Sequence, residues 1–313
     1  MSEQVKIGDV IVAELSKAAD KDRNILAVTS DSRGSASLAP YIKKHEEQLV
    51  EIGIAEQNSV TVSGGLAHSG KRPFVFAPAA FLTMRSIEQV KVDVSYSNNN
   101  VKLIGISGGN SYKDLGATHH SLQDLAITRA IPNLEVYTPA DQYQAAKLIQ
   151  YLAISNEPAY VRIGKVALPN IYSDTKNAFI KPGKANIVVE NGTDVALVSS
   201  GETLHIAIET ASLLKMQGIN ATVVDLVSIK PLDIELLNQL ADKTNLIVTL
   251  EEHSLYGGLG SAVAEALSPR GDTKIRIVGF PDEPVIAGMQ DEVFKYYGMD
   301  AKSLNEKIKM WLK

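Results

Sequence analysis

The feature that most constrains this chain is the regular exchange of short apolar runs with longer stretches of helical periodicity. Ile25–Thr29, Phe74–Phe76, Val101–Ile106, Leu134–Tyr137 and Ala159–Ile163 are each bounded by Gly, Pro, Asp or Asn and read as buried strands. Between them lie the helical segments Asp9–Asp20, Ala55–Ser69, Ile87–Tyr96 and Gln142–Tyr151. Alternation at this spacing predicts a mostly parallel sheet covered by helices on both faces. The stretch Pro169–Lys184, with two prolines, Gly183 and scattered charges, breaks the rhythm and marks a domain boundary. Beyond it the pattern resumes with strands Val195–Ser199, Ala221–Asp225, Leu246–Leu250 and Ile275–Val278. The intervening helices are His205–Met216, Ile234–Lys243 and Ser261–Leu267. The expected architecture is α/β with two domains, residues 1–172 and the smaller 189–313, joined by a linker over 173–188.

Composition narrows the partners. Hydrophobic residues make up 45% and charged residues 21% of 313, proportions of a soluble globular protein. The net charge of −5 argues against a nucleic-acid binder, which carries a basic face. No cysteine is present, so disulfides, thiolate chemistry and cysteine metal sites are excluded. The start MSEQVKIGDV lacks the regions of a signal peptide, and no apolar run approaches the ~20 residues that span a bilayer. A cytoplasmic location without membrane association is the expectation.

Four segments carry possible chemistry. In Gly53-Ile-Ala-Glu-Gln-Asn58, Glu56 falls in the first turn of a helix, where the dipole favours an acid and most such acids are solvated. Its small and apolar neighbours, with Gly64, Gly65 and Ala67 on the following turns, suit close backbone approach and an interface better than an open surface. In Leu115-Gly-Ala-Thr-His-His-Ser121 the tandem histidines point in different directions with no carboxylate at ligand spacing, so no metal site is expected. Thr29-Ser-Asp-Ser-Arg-Gly-Ser35 is a polar turn after a strand, ordinary in itself. In Glu251-Glu-His-Ser-Leu-Tyr-Gly-Gly-Leu-Gly-Ser261 a dinucleotide loop fails, because Val263 stands where the third small residue belongs.

The runs VEIGIAEQN, GGLAHSGKRPFVF and AAFLTMRSIEQV resemble the pyrimidine-binding domain of transketolases and of deoxyxylulose-phosphate synthase. The likeness extends over about residues 5 to 313, and Glu251–Ser261 and Ser228–Asp233 resemble the carboxyl-terminal transketolase domain, where they are structural. What the resemblance implies is thiamine diphosphate chemistry. The glutamate of the GIAEQ motif, here Glu56, hydrogen-bonds N1′ of the cofactor's aminopyrimidine and favours its imino tautomer, which requires a buried carboxyl. Phe81, 25 positions later, matches an aromatic that stacks on that ring, and Arg85 matches an arginine near the cofactor or the subunit interface. His119 matches a histidine that contacts substrate oxygens by hydrogen bonding or proton transfer. Asp31 matches an acid that organises the cofactor; Ser35 would face the substrate's phosphate, and Arg33 is a further candidate for an anion.

The chain lacks the Gly-Asp-Gly segment that binds Mg²⁺ and the diphosphate in that family, since neither Gly8-Asp9 nor Gly271-Asp272 continues the pattern. The resemblance therefore implies a separate diphosphate-binding subunit, an α₂β₂-like heterotetramer, and Mg²⁺ ligands supplied by the partner. The substrate shell departs from the family. Ser107 and Leu115 replace a histidine and an aspartate, while Gly8 and Lys165 lie where arginines serve the sugar phosphate. Arg and Lys are not equivalent at a bidentate site, so an altered donor, such as apulose 4-phosphate or sulfofructose, is expected. The competing readings are the beta subunit of a 2-oxo acid dehydrogenase and a non-catalytic scaffold.

Overall fold

The computed structural model describes residues 4–313 and lays the strand–helix alternation out as two large sheets. The first has seven strands in the spatial order Ser228–Lys230, Glu135–Tyr137, Ala159–Arg162, Lys102–Ile106, Arg72–Pro78, Ile25–Thr29 and Leu49–Glu51. Every neighbouring pair is parallel except Ser228–Lys230 with Glu135–Tyr137. The central strands Ile25–Thr29 and Lys102–Ile106 are buried along their whole length, as a sheet covered on both faces requires. Helix Ile7–Ala19 buries Ile7, Ile11, Val12, Leu15 and Ala19, one stripe at helical spacing, in the core shared with helix Gln142–Ile154.

The second sheet has the order Ile275–Phe280, Ile247–Ser254, Val195–Ser199, Ala221–Asp225 and Asn186–Glu190, of which only the last is antiparallel to its neighbour. A short antiparallel pair, Gln4–Val5 with Leu168–Pro169, ties the start of the described chain to the end of the first unit. No helix among the described residues is long and apolar enough to cross a membrane.

Three departures from the expected pattern have physical reasons. The strands Leu49–Glu51, Asn186–Glu190 and Ser228–Lys230 are edge strands outside the expected pattern, and the first two are only partly buried. The expected helix Ile87–Tyr96 is one α-helical turn, Ile87–Gln89, followed by a π-wound stretch, Val90–Tyr96. Phe81–Arg85 is also π-wound, and such wide turns are frequent at functional sites. Finally, Ser228–Lys230 follows a strand of the second sheet yet pairs with the first.

The two units are joined by buried polar groups as well as apolar contact. Asp225, at the end of a second-sheet strand, accepts hydrogen bonds from Gln144 Nε2 (2.5 Å) on helix Gln142–Ile154 and from the Tyr172 hydroxyl. Burial pushes its carboxyl up to about 7, against the pull of those two donors. An unfolded aspartic acid loses its proton near pH ~3.9. The stability tied to this proton is therefore intact below the unfolded value and is lost as pH rises through the folded one. Asp225→Asn should lose less melting temperature between pH 5 and pH 8 than the wild-type chain, as followed by thermal unfolding. Equal slopes would remove Asp225 as the responsible group.

Candidate active site

The site forms where the parallel strands of the first sheet end, the usual ligand-binding edge of such sheets. Glu51 closes the strand Leu49–Glu51 and clips two loops together. Its Oε1 accepts from the backbone N–H of Asp31 (2.8 Å) and of Gly53 (3.0 Å), and its Oε2 pairs with Arg33 Nε at 2.6 Å. Burial pushes this carboxyl up, but the donors together outweigh it and hold it below the ordinary range. Gly53, with φ of 80°, makes the turn that delivers the chain into helix Glu56–His68.

Glu56 is the first residue of that helix and only 6% exposed. Both of its carboxylate oxygens lie 3.3 Å from Arg85 Nη1. The Arg85 guanidinium carbon lies 3.9 Å from the Phe81 ring centroid, so the group is stacked on the ring while it bonds the carboxylate. The line continues edge to face. Phe81 meets His119 with centroids 5.2 Å apart, His119 meets Tyr112 at 5.2 Å, and Lys165 Nζ sits 4.8 Å from the Tyr112 ring. Thr118 Oγ1 engages His119 Nδ1 at 2.9 Å. His120, behind it, is buried with its Nε2 3.4 Å from the Lys113 carbonyl, and burial lowers its basicity.

Ser35, Ser107 and Lys165 line one cavity of about 110 Å³ together with Lys6 and Gly8. Lys6 and Lys165 also border a wider cleft of about 490 Å³ with Tyr112, Lys113 and Leu115. No carboxylate of the described residues pairs with Lys6, Lys113 or Lys165, and with Asp114 as the one acid in its lining the cleft carries more positive than negative groups. Among the described residues six non-glycines have positive φ, and four of them, Asp31, Ser37, Ser107 and Lys113, lie in these loops. Backbone strain of this kind gathers at binding sites.

Seven of the expected site residues therefore fall along one connected edge: Glu56, Phe81, Arg85, His119, Lys165, Ser107 and Ser35. Asp31 joins it through its backbone, with its side chain exposed, and Arg33 already has Glu51 as partner. Lys6, Tyr112 and Lys113 were not expected, because an isolated lysine or tyrosine in a loop carries no motif. The two glycines expected to suit close approach at an interface differ in their surroundings. A Cβ on Gly64 would meet the Asp93 carbonyl at 2.9 Å, so that close approach is within the chain, whereas Gly65 faces open space. In the glycine-rich segment after Glu251 the place of an anion is taken internally. Glu251 accepts from Leu259 N–H (2.7 Å) and Gly260 N–H (2.8 Å) at the start of helix Leu259–Leu267.

Residues 3–170 match the model of the transketolase pyrimidine-binding domain, and residues 183–304 match that of the transketolase C-terminal domain. An apulose-4-phosphate transketolase subunit from Phocaeicola vulgatus is 46% identical over 93% of this chain and 92% of its own length. A 6-deoxy-6-sulfo-D-fructose transketolase subunit from a Clostridium species is 33% identical over 95% of this chain and 91% of its own. A solved split-gene transketolase, described as an inactive beta4 tetramer, superposes with a TM-score of 0.90 at 32% identity and covers 98% of both chains. The chain therefore belongs to the transketolase family, as the half that carries the pyrimidine-binding and C-terminal domains.

Proposed function

We propose that this chain is the pyrimidine-binding subunit of a two-subunit, thiamine diphosphate-dependent transketolase that moves a two-carbon ketol unit from a ketose to an aldose phosphate. Glu56 and His119 are its catalytic groups, and Asp31, Phe81 and Arg85 face the cofactor. The observation that carries the reading is the stack at Glu56. There a flat group bearing N–H donors lies on the Phe81 ring and bonds a buried carboxylate. An aminopyrimidine makes the same two demands, a face to stack and a ring edge to hydrogen-bond. It fits the position once Arg85, whose side chain is 53% exposed, turns outward.

When bound, the cofactor supplies a carbon nucleophile and an electron sink for cleaving the bond beside a ketose carbonyl. Glu56 holds a proton at the ring nitrogen N1′, and its burial strengthens that bond. Phe81 fixes the plane of the ring. Because Thr118 occupies Nδ1 of His119, its Nε2 is left to bind, or exchange a proton with, the substrate's hydroxyl and carbonyl oxygens. Ser35, Ser107 and Lys165 take the far end of the donor, with Arg33 at the rim.

The Mg²⁺ ion and the diphosphate belong, in this reading, to a separate polypeptide, and two copies of each chain complete two shared sites in the cytoplasm. Two relatives of nearly the same length are themselves named as transketolase subunits, which supports it. Residues 1–172 form the cofactor domain, 189–313 the C-terminal domain, and 173–188 the linker. Ser107, Leu115 and Lys165, in place of a histidine, an aspartate and an arginine, favour a specialised donor, with apulose 4-phosphate first. Sulfofructose is the second reading, supported by the relative of that name.

Mixed with its diphosphate-binding partner, thiamine diphosphate and Mg²⁺, the chain should prefer apulose 4-phosphate to xylulose 5-phosphate by at least about tenfold in kcat/KM. Rates on these two donors and on sulfofructose decide the matter, and a clear preference for xylulose 5-phosphate would refute the specialised donor. Appreciable turnover by the chain without a partner would refute the split site. In the assembled enzyme Glu56→Ala should lower kcat roughly 10²- to 10⁴-fold without preventing assembly. Unchanged activity would end the catalytic assignment.

A further inference from the structure

The loop from Ser107 to Lys113 is held in an improbable shape. Ser107 (φ 54°), Gly109 (φ 67°) and Lys113 (φ 57°) all have left-handed backbone, a combination that persists only where the surroundings enforce it. Two supports are backbone bonds within the first unit. Gly108 N–H donates to the Ile163 carbonyl at 2.8 Å, and Gly109 exchanges both of its bonds with Ser121, two residues past His119. The third support is a side chain from the other sheet. Asn110 N–H donates to Glu252 Oε1 at 2.9 Å, and Glu252 lies on the strand Ile247–Ser254.

That carboxyl is itself fixed. Gln290 Nε2 donates to Glu252 Oε1 at 2.7 Å and to Glu202 Oε2 at 2.6 Å, so one amide ties two buried acids together. Each acid presses on a glycine of the first unit. A Cβ on Gly109 would overlap the Glu252 carboxyl, and one on Gly164 would overlap that of Glu202. Gly109 stands two residues from Ser107, and Gly164 stands next to Lys165. Both cavity-lining residues are thus set from behind by the same three side chains, none of which lines the cavity of about 110 Å³. Burial, and then the neighbouring Glu202, push the Glu252 carboxyl well above the usual range.

The geometry points to Glu252, with Glu202 and Gln290, as positioning residues for the donor pocket: the C-terminal unit sets where Ser107, Lys165 and His119 stand without touching substrate. This rests on the reading that the Ser35–Ser107–Lys165 cavity takes the donor.

The test uses the enzyme reconstituted with its partner. Glu252→Gln keeps an acceptor oxygen for Asn110 and should leave donor KM within about twofold of wild type. Glu252→Ala removes that acceptor and should raise donor KM at least about tenfold, with kcat within about threefold and the KM for thiamine diphosphate unchanged. Gln290→Ala, which keeps both acids but frees them, should shift donor KM alone by about threefold, and it decides the question if Glu252→Ala fails to assemble. Unmoved donor KM in the alanine variants would overturn the inference, as would a parallel fall in kcat and cofactor affinity that Glu252→Gln does not repair. Glu56→Ala run alongside separates the two layers. Activity surviving in Glu56→Ala sinks the parent reading, whereas its loss with donor KM unmoved in Glu252→Ala sinks only the positioning role.

Discussion

A buried guanidinium links the two halves of this chain beside the site. Arg162, at the end of strand Ala159–Arg162, donates to the Glu252 backbone carbonyl and lies 3.6 Å from Asp124 Oδ2 and 3.8 Å from Glu252 Oε2. Tyr160 donates its hydroxyl to the same Asp124 oxygen at 2.6 Å. Burial alone would favour loss of the Arg162 proton, but Asp124 and Glu252 outweigh it and bind the proton more tightly. A buried ion pair of this kind gives little net stability when formed, yet removing one member strands the other charge in a low dielectric. The loops that build the site hang from this point. Gly108 is pressed so closely on Arg162 that a Cβ would overlap it, Asp124 opens the helix that follows the His119 loop, and Lys165 lies three residues on.

The fold was legible in the sequence wherever a strand is buried on both faces. Ile25–Thr29, Val195–Ser199 and Ala221–Asp225 have in the structure the same limits that their apolar runs imply. Of the edge strands, Ile275–Phe280 was legible, but Asn186–Glu190 was not, because none of its residues is fully buried and its pairing with Ala221–Asp225 is decided by a neighbour remote in the chain. The site divides in the same way. Glu56 and Phe81 belong to a motif whose spacing survives in one sequence, so they could be found together. The stacking of Arg85 between them depends on the π-wound turn Phe81–Arg85, and Tyr112 comes beside His119 only because of the strained turn at Lys113. Both are tertiary facts with no local signature.

The glycines show how far composition can mislead. A glycine announces that something comes close, but not what. At Gly64 the neighbour is the chain's own Asp93, at Gly109 and Gly164 it is a carboxyl from the other sheet, and at Gly258 it is Glu251. The glycine-rich segment after Glu251, which already fails as a dinucleotide loop in sequence, is filled by the protein's own carboxylate. The strained residues around the cleft are over-determined by such contacts, which fixes its shape in advance of any ligand.

The edge strand Ser228–Lys230 has a consequence for how the chain can be divided. It leaves the second sheet to cover Glu135–Tyr137, and Lys230 Nζ caps the Arg129 carbonyl at 3.0 Å on the way. A gene divided between the two matched domains would yield a first product with a bare sheet edge, open to pairing with any other unprotected strand.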